Sequence, residues 1–275
     1  MIKLSNLIEI DELNLLKSSE ELWLQNIFNK YNGFPTLENL WSIMDEIWDE
    51  FNCDPKNLDS RVDNFYSHPV WLLNGLFIEQ HKESILHREI FTKWVNKQNP
   101  KRVADYGGGF GSLARMIAKS CPQTDVEIIE PHPQQIAIKR VNNFKNLTYQ
   151  KKLEGKYDIL IAKDVLEHVL DPLGLVAKTS LSLRDNGLYL IANCFEPVIK
   201  CHLPQTYHLY HTFDKALKDM NFMIVEKVIY GTVFKLKKKL NLDKARKIEK
   251  KSKKIWSLTK NLNRHIAGPI TKLLI

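Results

Sequence analysis

Residues 102–106, Arg-Val-Ala-Asp-Tyr, run without interruption into Gly107-Gly108-Gly109-Phe110-Gly111, and the apolar period then becomes helical over 112–119. A strand, a glycine cluster and a helix in that order leave few folds open. Glycines let the backbone turn sharply and let a ligand approach the main chain without a Cβ in the way. The helix that follows offers unpaired N–H groups to a carboxylate or phosphate. Further strands are predicted at 126–130, 157–162 and 187–192, separated by helices that end near Asn142 and begin near Asp171. Strands alternating with helices predict a mostly parallel sheet covered on both faces. Two close runs, 222–228 and 232–236, predict an antiparallel hairpin at the sheet's edge, so the α/β body spans about 101–237.

Both flanks read as helix. Leu37, Leu40, Trp41, Ile43, Met44, Ile47, Trp48 and Phe51 recur at spacings of three and four, one buried stripe. A second helix is expected over 71–97, with Pro69 in its first turn and Asn99-Pro100 ending it. At the other end, Leu242, Ala245, Ile248, Ile255, Leu258, Leu262 and Ile266 predict an amphipathic helix ending near Gly268-Pro269. The expected division is 1–98 as a helical region able to act as a substrate lid, 99–237 as the catalytic domain, and 238–275 as a basic tail.

Charge is unevenly placed. The chain carries a formal +8, but from Lys235 onward fourteen Lys and Arg face only Asp243 and Glu249, so the remainder is mildly acidic. Basicity therefore belongs to one segment, which is expected either to pack on the body with its lysines solvated or to meet an anionic surface, be it bilayer, nucleic acid or acidic partner. Cys53, Cys121, Cys194 and Cys201 form no CxxC pair, which predicts neither a disulfide framework nor a cysteine zinc site. The N-terminal stretch has acids within it and no small-residue cleavage site, and no run of about 18 uncharged apolar residues occurs. A cytoplasmic location is the expectation.

Ligands of open α/β sheets sit beyond the C-terminal strand ends, and the residues there carry the chemistry. Asp105 stands two residues before the first glycine, where a carboxylate suits an ammonium group and repels a pyrophosphate. Glu130 ends the next strand, where it can accept both hydroxyls of a ribose. Lys163-Asp164-Val165-Leu166-Glu167-His168-Val169 follows the third strand, with Asp171-Pro172 just beyond.

Taken together, DxGxGxG, an acid-ending strand and DVLEHVLDP resemble the class I S-adenosylmethionine-dependent methyltransferase family over about half the chain. The resemblance implies a Rossmann-like, mostly parallel seven-stranded sheet with an antiparallel edge strand, and S-adenosyl-L-methionine as cofactor. It implies that Asp105, Tyr106, Gly107, Gly108 and Gly109 hold the methionine end, that Glu130 with Pro131 holds the ribose, and that Lys163, Asp164 and Val165 line the cofactor near the reacting methyl. Residues 147–156 present no clear acid for the adenine amino group, so no adenine contact is assigned. In the stretch 201–213, His202, His208 and His211 lie close in sequence, but spacings of six and three without carboxylates or CxxC do not read as a zinc site, and no metal is expected. A substrate loop is the preferred reading, with His168, His208 and His211 as candidate donors or bases. The expected reaction is O-methylation of a small polar acceptor such as a sugar or nucleotide-linked glycan precursor. Nucleic-acid methylation, cofactor binding without turnover and nicotinamide chemistry stay open as alternatives. The Asp/Asn-Pro-Pro-aromatic segment of adenine methyltransferases and a cleft cysteine are missing after the third strand.

Overall fold

The structure, a computed structural model, describes residues 4, 8–262, 268, 271 and 274. Its helices are α1 (Ile10–Leu13), α2 (Ser18–Tyr31), α3 (Leu37–Glu50), α4 (Ser60–Ser67), α5 (Pro69–Gln80), α6 (Lys82–Gln98), α7 (Ser112–Ser120), α8 (Gln135–Val141), α9 (Pro172–Ser180), α10 (Phe213–Asp219) and α11 (Leu242–Thr259). The strands are β1 (Arg102–Tyr106), β2 (Asp125–Ile129), β3 (Leu147–Gln150), β4 (Tyr157–Lys163), β5 (Leu183–Ala192), β6 (Phe222–Val228) and β7 (Gly231–Leu236).

The strands form one seven-stranded sheet in the order β3-β2-β1-β4-β5-β7-β6. β1 runs parallel to β4, β4 to β5 and β2 to β3, while β7 is antiparallel to both β5 and β6. Central strands buried on both faces need continuous apolar runs, and Val103, Ala104, Ile159, Leu160 and Ile161 supply them. The winding reverses between β1 and β4, where Tyr106 pairs with Ala162. That switch point is where sheets of this kind receive ligands.

Two compact units divide the chain: Met1–Asn99 with Gly108–Lys152, and Pro100–Gly107 with Leu153–Ile275. In the first, the stripe on α3 buries Leu40, Ile43, Met44, Ile47 and Trp48 as its spacing requires. The helix expected over 71–97 is instead two. His81 is extended between α5 and α6, and its Nδ1 meets Ser84 Oγ at 2.9 Å. Pro69 opens α5, and Asn99 ends α6 in the left-handed conformation. An ion network ties the N-terminal helices to α7 and α8. Arg140 donates to both oxygens of Glu12 at 2.7 Å, and Glu79 bridges Arg115 and Arg140. The helix expected to end near Asn142 is α8, and it starts only at Gln135, since Pro133 pushes its predecessor out of the helical region.

In the second unit, Asp158 accepts the backbone N–H groups of Lys101 and Arg102, both at 2.8 Å, fixing the start of β1. Asp171 caps α9 by accepting from Gly174 N at 2.9 Å, and Asp171 also pairs with Arg246 of α11. α11 lies on α9, α10 and the 3-10 turn Pro204–Leu209. Its buried face is Ala245, Ile248, Glu249, Ser252, Ile255 and Thr259. Leu258 and Leu262, expected on that face, are exposed. Ile266 and Pro269, at the expected end of the helix, lie outside the described residues. Among the described residues no helix is long and apolar enough to cross a membrane.

Candidate active site

The first unit carries Gly108–Gly111 of the glycine loop and Glu130. Gly109 N donates to Glu130 Oε2 at 3.0 Å and His132 N donates to Glu130 Oε1 at 3.0 Å, so two backbone groups aim one carboxylate. Each oxygen keeps a further lone pair for a hydroxyl donor. Tyr149 Oη, on β3, donates to Gly109 O at 2.9 Å, and Gly111 N closes the turn on Gly108 O at 2.8 Å. A Cβ at Gly109 (φ +50°) would meet nothing within 4 Å, whereas one at Gly111 (φ +71°) would strike Ile128 Cδ1 at 2.7 Å. The loop therefore packs inward at Gly111 and opens outward at Gly109. Phe110 lies on α5 so closely that a Cβ at Gly75 would stand 2.5 Å from its Cγ. Arg140 and Arg115 lie over the same ring, 5.3 and 5.9 Å from its centroid. Pro131 is exposed.

The second unit carries the ends of β1 and β4. Asp105 is buried at 2 % exposure, and Tyr106 is half-buried. Gly107 takes φ +69°, and a Cβ there would lie 2.6 Å from Val165 Cγ2. Asp164 adopts a left-handed φ of +54°, uncommon for a residue with a side chain. It is held there by Lys163 and by Tyr230 Oη, which donates to Asp164 Oδ2 at 3.1 Å. Burial works against the Lys163 ammonium, but Asp164 and Tyr230 hold its pKa above the ordinary value. Tyr230, from the hairpin end, carries no local motif and was not anticipated as a site residue.

Just beyond, the 3-10 turn Leu166–His168 buries Glu167 completely. Glu167 Oε1 accepts from Cys194 N at 2.8 Å, while Oε2 is buried without a hydrogen-bond partner. Burial, then the charge of Asp164, pushes this carboxyl up to about 8. His168 Nδ1 meets Cys201 O at 2.9 Å, and its ring stands edge-on to His202 with centroids 4.9 Å apart. Burial, with His202 adding to it, lowers His168 to about 3, so the ring is neutral at physiological pH. His208 goes elsewhere. It is 5 % exposed, with Nδ1 3.1 Å from Ser252 Oγ on α11 and Nε2 3.9 Å from Glu249 Oε1. His211 packs edge-on to Tyr210, with ring centroids 4.6 Å apart, and lies beside Gly268. The expected trio is thus not one cluster by sequence proximity: His168 is joined by His202 and Glu167, and His208 by the tail helix.

A family model for a methyltransferase domain matches residues 80–227, slightly over half of the chain. The chain belongs to that family, the class I S-adenosylmethionine-dependent methyltransferases. A malonyl-[acyl-carrier protein] O-methyltransferase from Halalkalibacterium halodurans is 27% identical over 139 residues, which cover 46% of this chain and 49% of that protein. A ubiquinone biosynthesis O-methyltransferase from Histophilus somni is 24% identical over 152 residues, covering 50% and 62% respectively. These matches therefore span about half to three fifths of the relatives' own lengths. The solved structure of PigF with SAH superposes with a TM-score of 0.52 at 15% identity, covering 81% of this chain and 76% of that one. An O-methyltransferase family protein from Burkholderia thailandensis gives 0.51 at 14% identity, covering 74% and 69%. Both solved structures share the fold, and the residues matched by the family model contain the glycine loop, Glu130 and the Lys163–His168 segment.

Proposed function

We propose that this methyltransferase-family chain transfers a methyl group from S-adenosyl-L-methionine to an oxygen of a small molecule. One observation supports it above the others: the loop opens outward at Gly109 beside a carboxylate, Glu130, that two backbone N–H groups hold in place. That cradle suits a ribose diol. Asp105, buried at the end of β1, suits an ammonium group. In this reading Asp105, Tyr106, Gly107, Gly108 and Gly109 hold the amino-acid end of the cofactor, Glu130 and Pro131 the ribose, and Lys163, Asp164 and Val165 flank the reacting end. The cofactor supplies an electrophilic methyl group on a sulfonium. The protein's part is orientation and exclusion of water, and of the candidate donors or bases His168 stands nearest in the chain to the segment flanking the reacting end. The names of two relatives, a malonyl-[acyl-carrier protein] O-methyltransferase and a ubiquinone biosynthesis O-methyltransferase, support an oxygen acceptor. Neither name points to a sugar.

Calorimetry of the full chain with S-adenosylhomocysteine tests this. Glu130→Ala and Asp105→Ala are each expected to weaken binding by roughly 10- to 150-fold, the loss of one charge-assisted hydrogen bond of about 1.5–3 kcal/mol. Tight binding of NADH with no heat from S-adenosylhomocysteine would refute the reading.

A further inference from the structure

Glu167, His168 and His202 each bring one ligand-type atom within 4.8 Å of the other two. The hydrogen bonds around them fix the orientation of each ring. His168 Nδ1 lies 2.9 Å from Cys201 O, and His202 Nδ1 lies 2.8 Å from Glu196 O. A carbonyl oxygen only accepts, so each Nδ1 carries a proton, and Nε2 is the nitrogen through which each neutral ring can ligate an ion. The Glu167 carboxyl group is anchored through Oε1 by Cys194 N, and Oε2 has no hydrogen-bond partner although Glu167 is wholly buried. Buried carboxylate oxygens rarely go unpaired, because desolvation without a partner is costly. Two imidazoles and one wholly buried carboxyl group thus bring ligand-type atoms together, and Glu167 Oε2 is the buried oxygen that a cation held among them would satisfy.

We propose that Glu167, His168 and His202 bind a divalent transition-metal ion of the zinc class. Imidazole-rich sites select such ions over magnesium or calcium, which take oxygen ligands. Atoms sharing one tetrahedral zinc at bond lengths of about 2.0–2.2 Å stand roughly 3.3 Å apart, so the widest separation closes by about 1.5 Å, a matter of small side-chain rotations. The backbone frame is already in place. Leu203 N donates to Glu167 O at 2.8 Å and Tyr207 Oη donates to His202 O at 2.7 Å, binding the 201–207 segment to the turn that carries the other two ligands. Each histidine also has the outer hydrogen bond to a carbonyl that metal-ligating imidazoles require to fix their tautomer. Three protein ligands leave a coordination position open, as in catalytic rather than structural zinc sites. There the ion would take the acceptor's oxygen and lower the pKa of its hydroxyl. This last step rests on the methyltransferase reading, whereas the ion site does not.

The test uses the tag-free full-length protein, stripped with a chelator, then titrated with Co²⁺ by visible absorption and with Zn²⁺ by calorimetry. One ion per chain is expected. Glu167→Gln and His202→Ala should each weaken binding about tenfold or more, since loss of even a supporting group costs that much at a metal site. His208→Ala should leave the stoichiometry unchanged. Wild-type protein that takes up no Co²⁺ or Zn²⁺ would overturn the proposal, as would unchanged affinity in both ligand variants. Circular dichroism identifies a variant that fails to fold, and the other variant then decides. S-adenosylhomocysteine titrated in parallel separates the two readings: ion binding without it sinks the methyltransfer, and its binding without the ion sinks the metal site.

Discussion

The glycine loop shows how different the demands on neighbouring glycines are. Gly107 combines φ +69° with a Val165 methyl 2.6 Å from any added Cβ, while Gly109 has φ +50° and open space. An alanine at either position incurs left-handed strain of about 1–2 kcal/mol. At Gly107 overpacking adds about 1–3 kcal/mol. Urea unfolding should therefore rank Gly107→Ala as more destabilising than Gly109→Ala, and Val165→Ala should recover part of the difference in the double variant. Equal losses in the two single variants would contradict the packing argument. His208 makes a second residue-level case. Ser252 Oγ donates to His208 O at 2.6 Å, lies 2.9 Å from Thr212 Oγ1 and meets His208 Nδ1, so the ring sits in a closed polar cluster. His208→Ala should cost about 1–3 kcal/mol of stability, the scale for a broken buried hydrogen-bond set. Turnover by the refolded variant should change little. A turnover loss near 10²-fold with unchanged stability would restore His208 as a donor or base.

At the scale of elements, what was legible was local. β1, α7, β4 and the 222–236 hairpin follow from period and punctuation, and the seven-stranded sheet agrees with the resemblance carried by DxGxGxG. β3 has only four residues of mixed burial, Leu-Thr-Tyr-Gln, too short to show a period. The break at His81 left no Gly or Pro to mark it. The pairing of His168 with His202 was illegible for a different reason. Spacing along 202–211 suggested comparing its histidines with each other, whereas the fold sets His202 against a turn far upstream. Helix starts also carry hidden chemistry. His68 caps α5 by accepting Val70 N on Nδ1 at 3.1 Å, with Trp23 and Phe51 edge-on at 4.9 and 5.9 Å. A protonated Nδ1 cannot accept, and burial lowers this histidine to about 4. Because the folded pKa lies below the ordinary 6.5, the cap is intact above pH 6.5 and is lost as pH falls from there through 4. The ring is partly exposed, so solvent screening reduces its worth to about 1 kcal/mol. Thermal midpoints of wild type and His68→Asn, whose amide oxygen caps without titrating, should diverge in slope across that window. Parallel pH profiles would refute it.

For the whole molecule the open issue is the basic tail. Its net positive charge once allowed two readings, a docked helix or an anchor for an anionic surface. In α11 the apolar positions Ala245, Ile248 and Ile255 are buried, Arg246 pairs with Asp171, and Trp256 stands edge-on to Tyr207 with centroids 6.3 Å apart. The face a bilayer would need is therefore already occupied, and what remains outward is lysine with Leu258 and Leu262. Burial of Ile248 and Ile255 alone is worth about 1.5–3 kcal/mol each. Removing everything after Leu240 should lower the thermal midpoint by roughly 10 °C, at about 2–4 °C per kcal/mol for a chain of this size. Anionic vesicles should bind the intact protein only weakly and in a salt-reversible way, since exposed lysines act through a screened field. The chain has six tryptophans, so Trp256 is followed by the difference between wild type and Trp256→Phe, and no blue shift is expected from it. A blue shift with anionic but not neutral vesicles, with an unchanged midpoint after truncation, would show that α11 leaves the body to bind the surface.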